Sequence, residues 1–279
     1  MRSRVGKDLL LRAALLRHDE AVSAWIRWEG EFGLDSADAA SLVLLPQLYR
    51  NLMDRGVEPE RLSRLKGIYR HQWTKSQRQL PALAEAFRVL HRASVPCVLM
   101  GGLALRTAYY PEPGLRPLAD GDVWIPSGYL LSARKAFLEL GWQPLWRSPL
   151  RRLKDRIRRR FFQTWVHPNE QKLHVHRHLV SRCPSEALDR TLVADATSLF
   201  LLDAPVQALS PSAMLLTLLS YDSTLPIATA DAAWVLRLAG DHVDRSHLTE
   251  LARRHHFLQA VQNNLRRMRA IVPVDILPK

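Results

Sequence analysis

The stretch from Val98 to Ile125 constrains this chain more than any other part of it. Pro96–Met100 is a short, continuous apolar run between turn residues, which predicts a buried strand. Gly101 and Gly102 follow at once, as a tight turn demands for steric reasons. Leu103–Tyr110 predicts a short helix ended by Pro111 and Pro113. Asp120 and Asp122 then lead into a second strand, Asp122–Ile125. These parts, in this order, suit phosphate chemistry. Backbone amides at a glycine turn and a helix start can receive phosphate oxygens, and paired aspartates can hold the divalent metals that neutralise them. One residue separates the aspartates, so in extended backbone both side chains share a face. Their Cα atoms would then lie roughly 6.5–7 Å apart, close enough to share a metal pair spaced about 3.5–4 Å. An Asp-x-Asp pair alone is often only a solvated turn, and it gains weight here from the glycine pair upstream.

On both sides of this stretch the pattern is helical. Apolar positions run from Leu9 to Trp28, and Ser36 is a candidate cap for a helix through Leu42–Leu48 and Leu52, with Pro46 bending or dividing it. A third helical region spans Pro59 to His91, with Pro81 expected to kink or split it. After the second strand, Ser127 is a candidate cap for a helix over Tyr129–Leu140. Phe161–Val166 and Leu173–Leu179 read as a hairpin joined at His167–Glu170, and Leu199–Leu202 as one more strand. From Ser210 and Pro211, a helix-start signature, the chain is helical again to about Val272. The expectation is an α+β protein: an N-terminal helical segment over 1–94, a small mixed-sheet core over 95–205 and a C-terminal helical segment over 206–279.

Charge narrows the partners. The net charge of +13 favours polyanions such as nucleic acid, nucleotides or anionic lipid. It is concentrated: Arg147, Arg151, Arg152, Lys154, Arg156, Arg158, Arg159 and Arg160 stand against Asp155 alone. Leu150, Leu153, Ile157 and Phe161 recur at helical spacing there, so an amphipathic helix with a basic face is expected. That face is either a solvated surface, a clamp on phosphates or a membrane-surface helix. No run of eighteen apolar residues occurs, so integral membrane association is not expected. Cys97 and Cys183 offer at most one bridge, and the N-terminus does not read as a secretory signal, which fits a cytoplasmic location. Gly-x-Ser-x-Gly, Walker and His-Glu-x-x-His motifs are missing. His174, His176 and His178 alternate on one strand face, a spacing able to bind metal but more commonly a polar facing.

The run Gly102-Leu103-Ala104-Leu105, then Tyr110-Pro111, Pro113-Gly114-Leu115-Arg116-Pro117, Asp120 and Asp122 resembles the signature of a family of minimal nucleotidyltransferases in the DNA polymerase β superfamily. Leu45–Tyr49, Leu209–Leu219 and Ala230–Leu236 resemble its flanking helices. The resemblance implies metal-dependent transfer of a nucleoside monophosphate from an NTP to an unidentified acceptor, RNA or another anionic molecule being candidates. It implies that Asp120 and Asp122 hold Mg²⁺ or Mn²⁺, and that Gly101, Gly102, Arg116 and Lys172 lie at the nucleotide. Arg116 could equally pair with an aspartate for structural reasons. His174 is a candidate catalytic residue that positions the acceptor or a ligand. The basic residues Arg151, Arg152, Lys154, Arg156, Arg158, Arg159 and Arg160 would attract the acceptor or another polyanion. Three positions depart from the family pattern. Lys172 stands where a third acid is expected, Gly101 where a lysine is, and Gly121 where an isoleucine separates the aspartates. Glu170, two residues upstream of Lys172, is a candidate replacement for the acid. The alternative is a catalytically degenerate protein of this fold that binds nucleotide, RNA or a partner protein through its basic surface.

Overall fold

The computed structural model describes residues 4–145, 162–221 and 225–272. Over the described residues the chain divides into two compact units, one from Met1–Lys75, Tyr109–Pro117 and Met214–Lys279, the other from Ser76–Ala108 and Leu118–Ala213. In chain order the elements are α1 (Arg4–Leu15), α2 (His18–Glu31), α3 (Ala39–Leu42), α4 (Leu45–Met53), α5 (Ser63–Arg92), β1 (Val98–Met100), α6 (Gly101–Ala108), β2 (Gly121–Trp124) and α7 (Leu130–Glu139). They continue with β3 (Gln143–Pro144), β4 (Phe162–Val166), β5 (Lys172–His176), α8 (Glu186–Val193), β6 (Thr197–Leu201), β7 (Ala204–Ala208), α9 (Pro211–Leu219), α10 (Pro226–Ala239), α11 (Arg245–Arg254) and α12 (Leu258–Ile271). The fold is α+β, with helices toward both ends and one mixed sheet.

In the helical unit, the apolar run from Leu9 to Trp28 is two helices. Leu16 and Arg17 separate them, and His18 opens α2 with a φ of 56°. The carbonyls left open at the end of α1 are met by side chains: Asn51 donates to Ala13 and Leu16, and Arg237 donates to Leu15. Trp25 and Trp28, three residues apart on α2, are both buried. Asp38, not Ser36, caps the next helix by accepting from the Ser41 amide, while the Ser36 hydroxyl donates to the Gly33 carbonyl. Pro46 starts α4, where its missing N–H costs nothing. Pro81 does not split α5, which runs unbroken from Ser63 to Arg92.

The second unit is built on a seven-stranded sheet in the order β3-β4-β5-β2-β1-β7-β6. The expected hairpin is β4–β5, antiparallel. β2 lies between antiparallel β1 and parallel β5, and β1 also pairs parallel with β7. Leu99, Val123, Leu173 and Val175 alternate onto one face and are buried. Each such side chain contributes about 1.5–3 kcal/mol of burial. Gly121 sits on this face, where an added Cβ would lie 2.8 Å from Leu83 Cδ2 and 3.1 Å from Leu173 Cδ1. The strand is closely packed there. α5 also anchors the approach to β2: the Ser76 hydroxyl accepts from the Leu118 amide, and the Gln79 amide donates to the Ala119 carbonyl. Phe137, Trp142 and Trp165 form an aromatic cluster beneath the β3–β4 edge. No helix of the described residues is long and apolar enough to cross a membrane.

Candidate active site

The opposite face of β2 and β5 carries the polar residues. Strand alternation puts Asp122 on this face with His174 and His176, and Asp120 stands one residue before β2 begins. In the parallel register Asp122 lies across from His174, and Trp124 across from His176. Each histidine reaches back along its neighbour. His174 Nε2 is 3.2 Å from Asp120 Oδ2, and His176 Nε2 is 2.8 Å from Asp122 Oδ1. The third histidine of the run follows the same habit, with His178 Nδ1 2.7 Å from the buried Asp189. The alternating histidines of β5, and His178 just after it, are therefore partners for three aspartates.

The pairs are partly enclosed. Thr164, buried on β4, lies 2.9 Å from His174 Nδ1, so a hydroxyl, an imidazole and a carboxylate form one chain. The hydrogen bond to Asp120 raises the His174 pKa, helped by the Asp122 charge and opposed by burial and by Lys172. Phe162, half exposed, packs its ring 5.0 Å from His174 and 5.2 Å from His176.

Gly101 opens α6 with a φ of 54°, and a Cβ there would meet Asp122 Oδ2 at 2.9 Å. The glycine turn and the second carboxylate are thus in direct contact, and a side chain at this position would push the carboxylate away. Gly102 continues the first turn of α6, where helix amides have no internal acceptors.

Lys172 is exposed at the start of β5, two residues before His174 and on its face. Glu170 lies in the hairpin turn with a φ of 68°, its amide bonded to the His167 carbonyl, and is not part of β5. Among the described residues, no three His, Cys, Asp or Glu side chains are grouped to hold a metal ion. Arg116 belongs to the helical unit. Its guanidinium grips Asp231 through two bonds, Nε to Oδ1 at 2.9 Å and Nη2 to Oδ2 at 3.1 Å. Tyr110 also donates to Asp231, Gln47 donates to the Tyr110 hydroxyl, and Trp234 donates to Gln47. That network is the structural pairing weighed for Arg116. The basic residues Arg151, Arg152, Lys154, Arg156, Arg158, Arg159 and Arg160 lie outside the described residues. Sequence reasoning passed over Thr164 and Phe162, and it read His176 only as one of three alternating histidines, without its aspartate partner. The histidine alternation was the available signal, but its meaning depends on the parallel pairing of β2 with β5.

A family model described as uncharacterised nucleotidyltransferase matches residues 39–273. No curated protein matches the chain. Among the solved structures that match, two share partial similarity. The antibiotic-resistance factor ANT(2'')-Ia has a TM-score of 0.43 at 14% identity, covering 69% of this chain and 98% of its own. An antigenic nucleotidyltransferase-like protein from Paracoccidioides brasiliensis has a TM-score of 0.41 at 14% identity, covering 67% and 94%.

Proposed function

The chain belongs to this nucleotidyltransferase family, and from that premise we propose that it transfers a nucleoside monophosphate from an NTP to an acceptor at Asp120 and Asp122. The acceptor oxygen bonds to the α-phosphorus as the bond to pyrophosphate breaks, and the acceptor proton is released. The observation that carries this reading is the contact between the glycine turn at Gly101 and the carboxylate of Asp122, which joins a phosphate-binding element to a metal-binding one.

The donor set fits a hard divalent ion such as Mg²⁺ or Mn²⁺ that arrives with the nucleotide. Asp120 and Asp122 supply two carboxylates at the start of β2, and Mg²⁺ is commonly held by one or two carboxylates together with substrate phosphates. When bound, the ion supplies neutralisation of the phosphate charge. The residues of the chain do the rest. Amides at Gly101 and Gly102 approach the triphosphate, and Lys172 reaches a phosphate from the exposed end of β5. His174 is oriented by Asp120 and Thr164 to position the acceptor hydroxyl. The segment from Arg151 to Arg160 draws in an anionic acceptor, RNA or another anionic molecule.

Lys172 also supports a second reading. Where the family resemblance implies a third acid there is a lysine, and Glu170 is in the turn, so a scaffold that binds nucleotide or RNA without transfer is the alternative. Calorimetric titration of each NTP with Mg²⁺ into the wild type and an Asp120→Asn/Asp122→Asn double variant tests the site. Metal-dependent binding lost in the variant is expected. Absence of binding of every NTP would sink the proposal.

A further inference from the structure

We propose that His176 is the positioning residue for Asp122, fixing which carboxylate oxygen faces the ligand; this rests on the nucleotidyl-transfer reading of the site. Both oxygens of Asp122 are accounted for. Oδ1 lies 2.8 Å from His176 Nε2, and Oδ2 lies toward Gly101, where a Cβ would meet it at 2.9 Å. The glycine turn leaves room for the carboxylate, and the histidine sets its rotation about the Cβ–Cγ bond.

The histidine itself is held. Its side chain is 14% exposed, and its ring packs 5.2 Å from Phe162. Nδ1 is buried with no hydrogen-bond partner among the described residues. A buried N–H left without an acceptor costs about 1–3 kcal/mol, so the tautomer that fits carries its proton on Nε2. The ring then donates to Asp122 through Nε2–H. One oxygen of Asp122 is thereby committed to the protein, and the other is presented at the first turn of α6. Partners of this kind orient a ligating carboxylate without touching the metal, and their loss typically weakens metal binding by roughly 10–100-fold.

The test uses the full chain and MnATP as the probe. Affinity is measured by calorimetry, and the bound ion is followed by Mn²⁺ paramagnetic resonance. His176→Phe keeps a ring against Phe162 but removes the donor, whereas His176→Gln can offer an amide N–H near the position of Nε2. The expected result is about 10–100-fold weaker binding in the Phe variant, substantially restored in the Gln variant, with both melting close to wild type. Wild-type affinity in the Phe variant would overturn the proposal. So would equal weakening in both variants, because packing and not the hydrogen bond would then be responsible. If the wild type binds no MnATP, the transfer reading fails and takes this inference with it. Imidazole ¹⁵N resonances of the ligand-free protein give an independent readout. They should report a proton on His176 Nε2 whose shift moves in Asp122→Asn, and a proton on Nδ1 alone would contradict the assignment. That measurement also decides the case if the Phe variant fails to fold.

Discussion

Gly101 carries much of the logic of the site. The family resemblance expects a lysine there, yet the backbone has a φ of 54° and Asp122 Oδ2 occupies the space a Cβ needs. Restoring that residue as Gly101→Lys should therefore impair the site. The left-handed backbone alone costs about 1–2 kcal/mol for a residue with a Cβ, and nucleotide affinity should fall because Asp122 is displaced. A titration with MgATP that shows tighter binding in the variant would refute this. Cys97 offers a second test at the same scale. Burial pushes its thiol up to about 12, so the protonated form predominates near neutral pH. At pH 8 the native protein should alkylate at Cys97 more slowly than a free thiol of ordinary pKa. Rapid labelling located by mass spectrometry would show that the burial is wrong. Asp120, Asp122, Gly101 and His174 were all legible in the sequence as candidates. His176 was visible as one of three alternating histidines, but its partner lies 54 residues away on a parallel strand. Single-sequence periodicity contains no term for such pairing.

At the scale of elements, local chemistry explains which expectations held. β1, β2 and the β4–β5 hairpin are short runs with clear alternation or apolar continuity, and they form near the expected places. β7 contains Pro205, a residue that argues against a strand interior, and β3 is only two residues long, so neither gave a usable pattern. Pro81 signals a break, but α5 stays continuous because the burial of Leu80, Leu83, Ala84 and Phe87 around it outweighs one missing hydrogen bond. The loop into β2 is tied to this helix through Ser76 and Gln79. Its Leu83 also lies against Gly121. Gly121→Ile, which restores the family's usual residue, should accordingly destabilise the protein by about 1–3 kcal/mol through overpacking. Chemical denaturation measures the change, and a variant as stable as wild type would show that α5 and β2 can separate at no cost.

For the whole molecule, long-range polar pairing ties distant parts of the chain together. Arg116 and Asp231 are 115 residues apart in sequence and meet within the helical unit, with side chains 14% and 4% exposed. Removing one member of a buried pair leaves an uncompensated charge, so Asp231→Ala should cost about 3–5 kcal/mol. A loss below 1 kcal/mol in urea unfolding would mean the network is not the tie it resembles. The sequence motif around Arg116 could not distinguish this role from phosphate binding, because the distinction depends on where α10 returns. Helical segments at both ends were legible, but their union in one unit is a long-range fact that no local pattern states.

Transfer is measured by following an α-phosphate label. The protein would be incubated with each NTP labelled at the α-phosphate, Mg²⁺, and total RNA or a small-molecule extract, with the Asp120→Asn/Asp122→Asn variant alongside. Nucleotidyl transfer predicts label moving into a new product with release of pyrophosphate, abolished in the variant. Nucleotide binding without label transfer from any NTP to either acceptor pool would contradict it and leave the family fold working as a binding scaffold.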